Sequence, residues 1–309
     1  MGGGVCCRSR AYHGKRPLPG RRVEITAGRF RDPALARLRS ALRTGRPQNA
    51  GMSPATAGER VGDRDLATWR TAPGRALARR AVAVARWARP HGVVLITLGI
   101  GLALCALFTL GAAQVYDEVT DVDGVANLDQ PVLHAAIGAR TPGVTALVQA
   151  YTDLGGPVGM PLLATAVLLL LAWRSRSWEP LLLGLATGAG SLAMTVVGKA
   201  AVGRTRPPLV DAVPPFETSF SFPSGHSLNA MALAGIVAYV LVRRQARAWV
   251  RVLTITLAVV FAVTMGLTRV YLGHHWLTDV LVAWALALAW LVVVITAHRL
   301  YLTVRRARA

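Results

Sequence analysis

The chain has 309 residues, of which 53% are hydrophobic and 16% charged, with a mean hydropathy of +0.42 and a formal net charge of +20. This apolar excess is gathered into six long runs, which excludes a soluble helical protein because too little polar chain remains to cover them. Residues 1–91 hold 20 of the 35 basic and 5 of the 15 acidic residues, so the charge belongs to one terminal segment and no nucleic-acid partner is expected.

Residues 1–91 are rich in Arg, Gly, Pro and Ala, lack a sustained apolar period, and read as a basic, largely disordered cytoplasmic tail. Cys6 stands where a myristoylation pattern needs Ser or Thr, and no signal-peptide core follows. The Ala/Leu/Arg pattern from Ala76 to Trp87 suits a basic helix lying on the inner membrane surface. Uncharged runs then occur at Gly92–Tyr116, Leu154–Trp173, Pro180–Gly198, Ser227–Val242, Val252–Thr268 and Val280–Ala297. Each comes near the roughly 17 to 25 residues of a membrane span, which predicts an all-α, polytopic bundle of six transmembrane helices over residues 92–299. Residues 300–309 read as a second, short basic tail.

Arginines follow spans two, four and six, whereas the first outer loop carries Asp117, Glu118, Asp121, Asp123, Asp129 and Asp153 against Arg140 alone. Both termini are therefore expected on the cytoplasmic side. In the first outer loop the stretch Gln130 to Ala150, broken at Pro142-Gly143, predicts two short interfacial helices. Cys6, Cys7 and Cys105 suggest no disulfide framework.

Charges beside apolar spans are costly, and three polar groups stand at the outer ends of spans three to six. The first, Lys199-Ala-Ala-Val-Gly-Arg204-Thr-Arg206-Pro207, puts three cations on the otherwise acidic side. Lys199 is one of two lysines against 33 arginines, a choice that suits an ammonium point charge. Alone, the group reads equally as snorkelling cations. The second, Pro223-Ser224-Gly225-His226, precedes span four. Ser224 is an N-cap candidate, the N–H groups of Gly225 and His226 make an anion site, and His226 stands beside it as proton donor. Alone, this group is also an ordinary helix start.

The third group, Thr268-Arg269 through His274-His275 to Asp279, bridges spans five and six. On a helix, His275 and Asp279 at i, i+4 share a face, so the carboxylate holds one ring nitrogen and frees the other to attack. Gly273 allows a bend that returns Arg269 to that face, and His274 reads as an interfacial spectator.

Lys-x6-Arg-Pro, Pro-Ser-Gly-His and Arg-x5-His-x3-Asp together resemble the three-part signature of the type 2 phosphatidic acid phosphatase family, whose motif vanadium haloperoxidases share. The resemblance covers roughly Asp129 to Arg299, including Leu128-Asp129, Arg140-Thr-Pro142 and Leu154-Gly-Gly, with Thr268 where the family usually has Ser. It implies a metal-independent membrane phosphatase without cofactor. His275 would attack phosphorus to give a phosphohistidine, Asp279 would orient it, and His226 would protonate the leaving group. Lys199, Arg206, Ser224, Gly225 and Arg269 would bind the phosphate.

A site at the outer interface of the bilayer selects amphipathic substrates, among them phosphatidate, phosphatidylglycerol phosphate and undecaprenyl diphosphate. A lipid phosphotransferase would use the same motifs. A six-span transporter would instead place its polar residues near the bilayer midplane. The haloperoxidases are soluble, unlike this chain. Abundant Arg suits a high-GC bacterial genome and a plasma-membrane location.

Overall fold

A segment surrounded by lipid has to satisfy its own backbone hydrogen bonds, and the apolar runs accordingly fold as helices. The computed structural model describes residues 59–85, 90–119 and 125–308, with side chains left undescribed at 90 and 108–119. A small antiparallel hairpin, β1 (Arg60–Val61) and β2 (Arg64–Asp65), pairs Arg60 with Asp65. Helices α1 (Ala72–Val84) and α2 (Pro90–Val119) follow, then a 3-10 turn at Val125–Leu128. Next come α3 (Asp129–Gly138), α4 (Pro142–Asp153), α5 (Gly159–Ser175) and α6 (Glu179–Val202). A 3-10 turn at Leu209–Asp211 leads to α7 (Gly225–Val242), α8 (Ala248–Tyr271) and α9 (Leu277–Arg308).

Helices α6 to α9 are each long and apolar enough to cross a membrane, whereas the apolar stretches His91–Leu107 of α2 and Gly159–Ser175 of α5 are shorter. α7 is the central helix, packed on α5, α6, α8 and α9. Its apolar window is 56% buried, against 17% for α8, whose Val252, Ile255 and Leu257 face outward. Such an apolar outer surface suits lipid. Lipid leaves no hydrophobic drive between helices, so close backbone approach has to supply the contact. At Gly190 of α6 a Cβ would stand 2.2 to 2.4 Å from the Trp290 ring of α9, and the buried indole donates to Thr187 O at 3.1 Å.

The two helices expected in the first outer loop are α3 and α4. Pro142 lies in the first turn of α4, and Thr141 Oγ1 accepts the Val144 N–H at 3.4 Å. The basic helix expected at Ala76–Trp87 is observed as Ala72–Val84, where Thr71 Oγ1 accepts the Gly74 N–H at 3.2 Å.

Residues 59–85, which fall within the expected tail, pack against the end of α9. Glu59 pairs with Arg305 and Arg306, Arg299 stacks 4.2 Å over Trp69, and Trp69 Nε1 donates to Thr303 Oγ1 at 3.1 Å. Ala81 and Ala85 bury themselves with Val93, Leu300 and Val304. The rest of that tail, residues 1–58 and 86–89, lies outside the described residues. At the other terminus, residues 300–308 continue α9.

Candidate active site

The motif groups meet where α6 and α8 end and α7 and α9 begin. Helix α8 stops because Gly273 takes φ +71°, so that the carbonyl of Arg269 receives the N–H groups of His274 (2.9 Å) and His275 (3.3 Å). A Cβ on Gly273 would stand 2.3 Å from Asp211 O. Gly273→Ala is thus expected to cost at least the roughly 1 to 2 kcal/mol of a left-handed non-glycine residue, with the clash added. The check is the thermal midpoint in detergent, which should fall; an unchanged midpoint contradicts the reading.

This turn also corrects the expected dyad. His275 precedes α9 and Asp279 lies in its first turn, so the loop, not helical i, i+4 geometry, brings them together. Asp279 Oδ2 accepts the Trp276 N–H at 3.0 Å and the Ser221 hydroxyl at 2.5 Å, and stands 3.5 Å from His275 Nδ1. Ser221 Oγ is itself 3.4 Å from that nitrogen. On the other edge of the ring, Arg206 Nη1 lies 3.2 Å from His275 Nε2. Guanidinium can only donate, so Nε2 carries the lone pair and Nδ1 the proton. His275 is 1% exposed, and burial lowers its pKa to about 4; Asp279 opposes the shift, and Arg206 and Arg269 add to it. The imidazole is therefore neutral at physiological pH, as an attacking nitrogen must be.

Arg206 donates to Ser219 O (2.6 Å), His274 O (2.5 Å) and Glu217 Oε2 (2.7 Å). Arg269, buried, donates to Glu217 Oε1 and to Thr152 Oγ1 (3.2 Å). Lys199 donates to Phe220 O and to Ser219 Oγ (3.2 Å). The three cations therefore converge on the segment just before Pro223, and two of them grip the Glu217 carboxylate. Burial alone would raise the pKa of Glu217, but Arg269 and Arg206 outweigh it and hold the carboxyl at about 2. Glu217 belongs to no motif group. Its only signal in the sequence is that it is the one carboxylate between Asp211 and Asp279.

Ser224 occupies the N-cap position of α7 without capping it. Its hydroxyl accepts from Ser227 Oγ at 2.8 Å, a correction that leaves the N–H groups of the first turn without a side-chain cap. Gly225 stands under Thr195, whose Cγ2 would lie 3.2 Å from an added Cβ. His226 is next to Gly156 of the Leu154-Gly-Gly turn and feels the charges of Arg269, Glu217 and His275. His274 is buried and donates through Nε2 to Val213 O at 2.7 Å, so it fastens a loop and is not an interfacial side chain. Thr268 keeps the hydroxyl of the family's serine: its Oγ1 bonds Thr152 Oγ1 at 3.0 Å, and Thr152 in turn holds Arg269. Arg140 ties Tyr271 O and Asp211 O at 2.9 and 2.8 Å, which secures the end of α8.

The site has relatives. Residues 179–301 match the family described as the PAP2 superfamily. Phosphatidylglycerophosphatase B of Bacillus subtilis (strain 168) is 31% identical over 188 residues, spanning 60% of this chain and 89% of the relative. The crystal structure of a transmembrane PAP2 type phosphatidylglycerolphosphate phosphatase from Bacillus subtilis superposes with a TM-score of 0.54 at 30% identity, covering 63% of this chain and 92% of that one. With long apolar helices carrying a buried histidine beside two anion-gripping arginines, the chain belongs to the PAP2 superfamily and is a membrane phosphatase.

Proposed function

We propose that the protein hydrolyses a lipid phosphate or lipid diphosphate through a phosphohistidine on His275. The observation that carries this reading is the neutral Nε2 of His275 at 3.2 Å from Arg206, beside which Arg206 and Arg269 already hold an anion, the Glu217 carboxylate. A phosphoryl group would displace Glu217 and take its two arginines. Lys199 and the N–H groups of Gly225 and His226 would receive the remaining oxygens. Nε2 then attacks phosphorus while the bond to the leaving oxygen breaks, and His226 gives that oxygen its proton. In the second half, neutral His226 takes a proton from water, the oxygen attacks phosphorus, and the bond to His275 breaks to release phosphate. The cations stabilise charge that builds on the phosphoryl oxygens in both steps.

In this reading α2 and α5 join α6 to α9 as the fifth and sixth spans. An outward-facing site is supported by α1, which carries Arg75, Arg79 and Arg80 and packs on the Arg-rich end of α9, the end expected to be cytoplasmic. The name of the relative makes phosphatidylglycerol phosphate the first substrate to try, with phosphatidate and undecaprenyl diphosphate beside it. Lys199, Arg206 and Arg269 supply the positive charge, so detergent-purified protein is expected to release phosphate from at least one of these lipids in excess EDTA. No release from any of them, or release abolished by the chelator, would overturn the proposal.

A further inference from the structure

Behind His275 lies a second buried carboxylate that no motif group contains. Asp129, the first residue of α3, is 4% exposed. Its Oδ1 accepts the Thr278 N–H of α9 at 2.9 Å, and its Oδ2 accepts Thr278 Oγ1 and Arg204 Nη2, each at 2.7 Å. The other arm of Arg204, Nη1, reaches Asp279 Oδ1 at 2.6 Å and Thr278 Oγ1 at 2.7 Å, and its guanidinium stacks 5.5 Å from the Trp276 ring. Asp279 is 0% exposed and spends its two oxygens differently, Oδ1 on Arg204 and Oδ2 on Ser221, the Trp276 N–H and the side facing His275.

One guanidinium is thus shared between two buried carboxylates. With Asp129 ionised, Arg204 is divided between them, and Asp279 keeps negative charge to direct at His275. With Asp129 neutral, Asp279 alone would have to neutralise Arg204, in surroundings where charges are weakly screened. Thr278, bonded to Asp129 by both N–H and hydroxyl, stands immediately before Asp279, so the same carboxylate also fixes the turn that carries Asp279.

We propose that Asp129 is a positioning residue for the reaction: through Arg204 and Thr278 it sets the orientation and free charge of Asp279, and through Asp279 the attacking geometry of His275. This rests on the phosphatase reading of the site.

Asp129→Asn keeps the shape and an acceptor for the Thr278 N–H but removes the charge. Assayed on phosphatidylglycerol phosphate in detergent, it is expected to lower kcat about 10- to 100-fold with KM within about threefold of wild type, since the group acts on the transition state without touching substrate. In an Asp279→Asn background the same change should alter the residual kcat by less than about twofold, because groups acting as one unit are not additive. A full second loss in that background would show a merely structural role and overturn the proposal. So would wild-type kcat in the single variant, or a raised KM with kcat unchanged. If Asp129→Asn yields no folded protein, Arg204→Lys decides: it keeps the charge but cannot bridge both carboxylates, so kcat should fall similarly, and an unchanged kcat overturns the inference. His275→Ala, run alongside, separates the two levels. Full turnover there sinks the reading of the site itself, whereas an inactive His275→Ala with an unimpaired Asp129→Asn sinks only the role of Asp129.

Discussion

His275→Ala is expected to lower kcat by roughly 10⁴-fold or more, with folding intact. Nothing else among the described residues could take over the attack. His226 is needed as the acid and lies at the start of α7, while the neighbouring His274 is tied through Nε2 to Val213 O at 2.7 Å. The site around the missing ring would still bind anions, because Arg206 and Arg269 owe their placement to Ser219, His274 O and Thr152 as well as to Glu217. Loss of turnover with substrate affinity retained is therefore the signature, read from kcat and KM against the thermal midpoint. A loss confined to KM would make His275 a binding residue only.

Asp279→Asn should be the second most damaging change, lowering kcat by about 10³- to 10⁴-fold, in the range known for loss of the orienting acid in a catalytic triad. Its carboxylate receives Arg204, Ser221 and the Trp276 N–H while facing His275. An amide in its place would turn one donor toward these donors and dissolve part of the network. The pH dependence separates orientation from titration. Asp279 opposes the downward shift that burial imposes on His275, so removing its charge lowers that pKa further below about 4. The neutral, attacking form is then no scarcer at neutral pH, and the lost rate has to come from misplaced geometry and a less stabilised imidazolium. The acid limb of kcat/KM should accordingly move to lower pH or stay in place; a limb moved upward would contradict this account.

Much of this was legible in the chain. The apolar runs and the break at Pro142-Gly143 are local signals, and α2 and α4 to α9 follow them closely. The cations were legible only in part: Lys199, Arg204 and Arg206 alone read equally as snorkelling residues, only the three groups together pointed to an anion site, and Arg204 turns out to bind Asp129 and Asp279 instead. What could not be read are contacts made across sequence distance. Helix α1 was legible as a basic helix, but its docking on Leu300 and Val304 was not, nor was the hairpin, beside which Glu59 pairs with Arg305, 246 residues away. Asp129 meets Arg204 across 75 residues and Thr278 across 149; the resemblance takes in Leu128-Asp129, but what that carboxylate touches is legible only in the fold. Glu217 was hidden for another reason: a carboxylate within an anion site is opposite in sign to the expected ligand, so charge logic passes over it. The spacing of His275 and Asp279 suggested a helix face, yet Gly273 and the first turn of α9 join them by a loop instead.

The measurement that tests the central claim most directly is rapid quenching of the protein with a radiolabelled lipid phosphate, followed by isolation of the denatured chain. The account predicts an alkali-stable, acid-labile phosphoryl label on the wild-type protein that forms and decays with turnover and is absent from His275→Ala. Phosphate release by wild type without any labelled protein, or a label that persists in His275→Ala, would contradict it.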